Sequence, residues 1–140
     1  MPTTQITPYL FFGGRCQEAL DFYQSALGAQ VDMVMLYNQS PELNPDMIPA
    51  GFEDKVMHSS FHIGEAEIYA GDGNKEGDVS NGFSLALTLP TEAEVEKAFA
   101  GLSDGGQVQM PLGKTFWSPC FGMVTDKFGI DWMLTVPMGG

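Results

Sequence analysis

The order strand, helix, strand, strand, strand occurs twice in this 140-residue chain, and few folds accommodate it. Tyr9-Leu10-Phe11-Phe12 reads as a short aromatic strand ended by Gly13-Gly14. A helix follows from Arg15 to Leu27, with Ala19, Leu20, Tyr23 and Leu27 on one face at helical spacing. Gly28 stands where a helix C-terminal glycine belongs. Val31 to Tyr37 reads as a strand, and residues 38–55 as a loop that Pro41, Pro45 and Pro49 keep irregular. Two strands, Val56 to Ile63 and Ala66 to Ala70, are joined by Gly64-Glu65, a two-residue connection with glycine first that suits a hairpin. Residues 71–82, with Gly, Asp, Asn and Lys, read as a linker. The second half opens with a strand from Phe83 to Leu89. Thr91 offers an N-cap with Glu94 three residues on, and Val95, Ala98, Phe99 and Leu102 form the apolar stripe of the helix that follows. Strands are expected near Val108, from Met123 to Thr125 and from Ile130 to Val136. The halves share the order of elements rather than visible identity, so duplication is inferred from architecture.

A chain of this length fits one domain with a sizeable core. Eighteen acidic residues against six basic give a net charge of -12 at pH 7. Such a surface repels phosphate backbones and anionic lipid, which are bound through Lys and Arg, so nucleic-acid and membrane partners are excluded as expectations. Cys16 and Cys120 form no CxxC or Cys/His cluster and read as two reduced thiols of a cytoplasmic protein. The N-terminus shows no basic segment followed by an apolar run, and apolar stretches such as Tyr9 to Phe12 are too short to span a bilayer.

Three segments carry a resemblance. Ala19-Leu20-Asp21-Phe22-Tyr23 with Ala26-Leu27-Gly28-Ala29 resembles the first-helix signature of the vicinal-oxygen-chelate superfamily, which includes glyoxalases, extradiol dioxygenases and bleomycin-resistance proteins. Residues 125–132, Thr-Asp-Lys-Phe-Gly-Ile-Asp-Trp, resemble its closing turn and strand. Thr115-Phe116-Trp117, with Phe121-Gly122, is similar to the PhnB-like branch. The resemblance implies an α+β fold of two βαβββ modules, about residues 5–71 and 83–137, forming a cupped open-barrel sheet. It also implies a homodimer, since open sheets leave edges to cover. PhnB-like proteins have carried methyltransferase labels. Gly13-Gly14 is a lone pair, and a doubly wound methyltransferase needs a glycine-rich turn within a longer parallel sheet.

The superfamily commonly holds one divalent ion with four His, Gln or Glu side chains, two from each module. Carried across by the helix and turn signatures, those positions fall on Pro8, Tyr69, Ser84 and Met133. Proline has no side-chain donor, neutral serine is a poor ligand, tyrosine binds as phenolate, and methionine prefers softer ions. The resemblance therefore implies a protein without the usual metal site and with no cofactor expected. A two-residue slip would instead bring in Leu10, Glu67, Ala86 and Asp131, whose two carboxylates could form an oxygen-rich site for a divalent metal.

The hairpin register follows from its turn. Ile63 faces Ala66, His62 faces Glu67, Phe61 faces Ile68, and Ser60 faces Tyr69. One face is then largely apolar and packs on the helices, while the other carries His58, Ser60, His62, Glu67 and Tyr69. In the resembled fold that second face lines the cup, so these five residues are candidate ligand contacts. An ordinary exposed face with a His62–Glu67 pair is the plain alternative. His58 and His62 stand about 13 Å apart at roughly 3.3 Å per residue, too far to clasp one ion together. Phe116, Trp117 and Phe121, in a segment broken by Ser118-Pro119, are candidates to roof the cup, or else fold onto the core or a dimer contact. The expected function is binding of a small molecule in a cupped sheet. The alternatives are a metal-dependent lyase, isomerase or dioxygenase of the glyoxalase kind, and a bleomycin-resistance-like protein that sequesters without turnover.

Overall fold

A computed structural model describes residues 4–40 and 44–137; Pro41 and the first three residues lie outside them. The chain divides into two compact units, residues 1–24 with 28–79, and residues 25–27 with 80–140. Each contains a four-stranded mixed sheet. In the first, β1 (Tyr9–Phe11), α1 (Cys16–Leu27), β2 (Gln30–Leu36), β3 (Val56–Ile63) and β4 (Ala66–Gly71) follow in chain order, and the strands lie in the spatial order β1-β4-β3-β2. The second repeats the plan with β5 (Ser84–Thr88), α2 (Glu92–Ser103), β6 (Gln107–Gly113), β7 (Phe121–Thr125) and β8 (Asp131–Thr135), in the order β5-β8-β7-β6. In both, the first and last strands run parallel and the other pairs antiparallel. The expected α+β class and the doubled strand order are both present.

Local chemistry accounts for the element ends. Gly28 adopts the left-handed conformation at φ 69° and returns its N–H to Gln24, closing α1. Thr91 accepts the Glu94 amide on its hydroxyl at 3.2 Å, opening α2. Gly64 takes φ 59° in the β3–β4 turn, and the register is the one the turn dictates, Ser60 opposite Tyr69 and His62 opposite Glu67. β6 is longer than its sequence suggests, and it tolerates Pro111 because it is an edge strand with an unpaired side.

α1 covers one face of its sheet. Tyr23 stacks on Phe61 with centroids 6.0 Å apart, and Cys16 Sγ lies 3.9 Å from Ser59 Oγ. Leu10, Leu20, Tyr23 and Phe61 are fully buried, and burying each such side chain stabilises by about 1.5–3 kcal/mol. In the second unit Val95, Ala98, Phe99 and Leu102 are the buried stripe of α2, as their spacing predicts.

Three expectations are corrected. The stretch after β4 is not a plain linker. Asp72 is buried there, accepting the amides of Gly14 (2.8 Å) and Cys16 (2.7 Å) on Oδ1 and of Val56 (2.8 Å) on Oδ2. Val79 bridges to Phe12, and the Gly77 amide reaches the Gly13 carbonyl at 2.8 Å. The described residues between β2 and β3 are not wholly irregular and contain short 3-10 turns at Tyr37–Gln39 and Pro45–Met47. Phe121 is not a loop residue. It begins β7 and is buried, because Ser118 donates its hydroxyl to the Val136 carbonyl at 2.8 Å and turns the chain back into the sheet.

Candidate functional site

With α1 on the Ser59 and Phe61 side of its sheet, strand alternation sends His58, Ser60 and His62 to the opposite face. β1 enters the same face through its parallel pairing with β4, which sets Tyr9 beside Tyr69. Rings then accumulate. Centroids are 4.9 Å apart for Tyr9 and Phe11, 5.5 Å for Tyr9 and His58, 6.2 Å for Tyr9 and Tyr69, and 5.1 Å for His58 and Tyr69. A phenol–imidazole contact joins two of them, His58 Nδ1 to Tyr9 Oη at 3.2 Å. The Tyr9 hydroxyl also donates to the Met57 carbonyl at 3.2 Å. Burial first, and then the neighbouring Cys16, Tyr37 and Asp72, push the Tyr9 phenol above its ordinary value, so it keeps its proton at neutral pH. An open groove of about 390 Å³ runs alongside, lined by Tyr9, Phe11, Tyr37, Met57, Asn74 and Asp78. That volume lies within the range of small-molecule sites.

The other predicted residues of this face take different places. Ser60 is buried opposite Tyr69, and Glu67 is exposed opposite His62. His62 pairs with Asp32 rather than Glu67, Nδ1 to Oδ2 at 2.9 Å. The register of β2 against β3 shifts between Val31 and Met33, and that bulge turns Asp32 toward the histidine. Pro8 contributes its backbone, its carbonyl accepting the Tyr69 amide at 2.9 Å. The side chain beside Tyr69 is therefore that of Tyr9, which sequence reasoning did not select. The signal was available: Leu10 and Phe12 are the buried members of an alternating run, which leaves Tyr9 and Phe11 for the other face.

In the second unit, Ser84 pairs with Asp131 and Met133 with Ala86, so Ser84 and Met133 share the face opposite α2. Thr125 donates to Asp131 at 2.5 Å and accepts from Gln109 at 3.1 Å. These groups border an open hollow of about 380 Å³ with Met123. At the other end of that face stand Phe116, Trp117 and Phe121, with centroids 4.8 Å and 5.3 Å apart in edge-on contacts. Phe116 is 89% exposed and Trp117 47%, an unusual amount of aromatic surface in water. Of the residues a slipped register would use, Leu10 is fully buried and Asp131 is engaged by Thr125. Among the described residues no three His, Cys, Asp or Glu side chains form a metal-ligating group, and no helix is long and apolar enough to cross a membrane.

Known proteins share this sequence pattern and this fold. Residues 4–135 match the family described as 3-demethylubiquinone-9 3-methyltransferase. The crystal structure of protein PA1353 from Pseudomonas aeruginosa is 39% identical, with a TM-score of 0.84 over 96% of this chain and 98% of that one. The PhnB protein from Bacillus cereus is 31% identical, with a TM-score of 0.78 over 95% and 99%. Protein YjdN of Escherichia coli K12 is 33% identical over 94% of each chain. The fold alone, at 10% identity and a TM-score of 0.68, recurs over 99% of this chain and 96% of a glyoxylase/bleomycin resistance protein/dioxygenase domain from Frankia.

Proposed function

Because the chain belongs to the PhnB-like family of the glyoxalase and bleomycin-resistance superfamily, we propose that it binds a small molecule on the helix-free faces of its sheets, without the superfamily's usual divalent metal. One observation carries the reading. Tyr9, Phe11, His58 and Tyr69 gather on a face that α1 leaves uncovered, an apolar, ring-rich surface with an imidazole and two phenols to orient a guest. His58, Ser60, His62, Glu67 and Tyr69 lie on that face, and Phe116, Trp117 and Phe121 supply the aromatic contact of the other unit.

The donor set does not fit a divalent ion. Pro8 has no side-chain donor, and Ser84 and Met133 offer a neutral hydroxyl and a thioether where hard or borderline ions need carboxylate or imidazole. Nor does the reading include methyl transfer. A doubly wound methyltransferase holds its cofactor at a glycine-rich turn before a helix, whereas here the Gly14 and Cys16 amides already bond to Asp72. The protein is further proposed to be a cytoplasmic homodimer. Its two buried free thiols suit a reducing compartment, and each sheet leaves edge strands to be covered.

A ligand screen by thermal shift tests the binding reading, since anything bound to the native state raises its stability. A hit should be lost in His58→Ala, with folding stability unchanged to within about 1 kcal/mol. Unchanged affinity in that variant returns His58 to a solvated sheet face. About one Zn, Ni, Mn or Fe per purified chain would overturn the metal-free reading. Sedimentation at the monomer mass would overturn the dimer.

A further inference from the structure

The Tyr9 hydroxyl touches two partners with one proton to give. Its contact with the Met57 carbonyl, at 3.2 Å, is a hydrogen bond only if the hydroxyl donates, because a carbonyl can only accept. Its contact with His58 Nδ1, also 3.2 Å, must then run the other way, with the imidazole donating to the phenol oxygen. Both contacts are satisfied in one arrangement alone. From it we infer that Tyr9 is a positioning residue that holds neutral His58 in its Nδ1–H form and so presents the Nε2 lone pair to a ligand that donates an O–H or N–H.

Three further observations support this. The phenol is pushed above its ordinary value by burial, so its proton stays available for Met57. Among the described residues no buried side-chain nitrogen or oxygen lacks a partner and His58 bonds only through Nδ1, so its Nε2 reaches solvent. The hydroxyl is also seated by an absence. A Cβ built on Gly71 would lie 2.9 Å from Tyr9 Oη and 2.8 Å from the Met57 carbonyl oxygen, so only glycine leaves room for the contact.

The guest follows from the surroundings. A fixed acceptor flanked by the Tyr9 and Tyr69 rings favours a planar molecule with a hydrogen-bond donor at its edge, such as a phenol, enol or aromatic amine. An anion is disfavoured by a protein of net charge -12. This ligand class rests on the binding function proposed above; the tautomer does not.

Nitrogen-15 NMR of the imidazole rings in the ligand-free protein tests the inference at pH 8.5, where an ordinary histidine of pKa about 6.5 is neutral. There are two histidines, and His62→Gln assigns the remaining signals to His58. Wild type should show His58 protonated at Nδ1. Tyr9→Phe should move the proton to Nε2, the form a free imidazole prefers, and Gly71→Ala, which displaces the hydroxyl while retaining it, should do the same. A wild-type His58 protonated at Nε2, or a tautomer unmoved in both variants, would overturn the role of Tyr9 whatever the protein binds. Phenol and anisole then test the donor requirement: phenol should shift the Nε2 resonance and anisole, with no proton to donate, should not. Equal shifts from both, or none from either, would overturn the ligand class and leave the tautomer result standing.

Discussion

Replacing Asp72 tests whether one carboxylate holds the first unit together. Its side chain is 1% exposed and bonds to three backbone amides, those of Gly14, Cys16 and Val56. Two of these sit at the start of α1 and one at the start of β3, so the contact ties together segments far apart in sequence. Asp72→Ala removes all three acceptors at once. A buried donor left unpaired costs about 1–3 kcal/mol, and water entering the vacated space recovers part of that. The expected loss is about 3–5 kcal/mol, a large share of the roughly 5–15 kcal/mol that holds a domain folded. Asp72→Asn keeps Oδ1 for Gly14 and Cys16 but turns an N–H toward the Val56 amide, and should cost less, about 1–3 kcal/mol. Urea unfolding measures both, provided the slope with denaturant stays that of wild type. Hydrogen exchange should show the amides of Gly14, Cys16 and Val56 losing protection first. An alanine variant within about 1 kcal/mol of wild type would refute the reasoning, as would an asparagine variant no better than alanine.

Other outcomes follow from the same structure. Burial, reinforced by Asp72, pushes the Cys16 thiol from 9.0 up to about 12, so alkylating reagents at pH 8 should modify it only on unfolding. The folded state holds that proton more tightly than the unfolded chain does. Its contribution is therefore intact below pH 9.0 and lost as pH rises toward about 12, and Cys16→Ala should flatten the alkaline limb of a stability–pH curve. His62→Ala should change stability by less than about 1 kcal/mol in urea unfolding, because its pair with Asp32 is solvent-exposed. Gly122→Ala sets a Cβ 2.8 Å from both Phe99 and Leu112 and should cost about 1–3 kcal/mol by thermal melting, with partial recovery when Phe99→Leu is added.

How much of this was legible beforehand depended on the range of the interaction. The β3–β4 register was readable because a two-residue turn at Gly64-Glu65 leaves one way to pair the strands. The α2 cap at Thr91 and its apolar stripe were readable for the same local reason. Alternation along Tyr9-Leu10-Phe11-Phe12 puts Tyr9 on the helix-free face, but only the parallel pairing of β1 with β4, which no local pattern encodes, sets it beside Tyr69 and His58. Asp72 was read as linker because an aspartate among Gly, Asn and Lys looks like turn chemistry; its partners lie 16 to 58 residues away. The hairpin register sets His62 opposite Glu67 and makes a pair between them the plain alternative, whereas the bulge in β2 hands His62 to Asp32. Phe121 joined its exposed neighbours in sequence because the Ser118 hydroxyl that returns the chain to the sheet has its partner on the far side of β8.

The parallel pairing of first and last strands has a consequence for how the chain reaches this state. β1 leaves the ribosome before the other strands of its unit, yet its sheet partner β4 is the last of them to be made, and β5 waits in the same way for β8. Loop-closure entropy must be met before such distant partners reward it, which places folds of this kind among the slower small domains. Until β4 arrives, Leu10 and Phe12 have no sheet to enter and wait in water. A pause in translation between β1 and β4 would lengthen that wait, whereas a pause after Gly71 would let the first sheet close before the second unit begins.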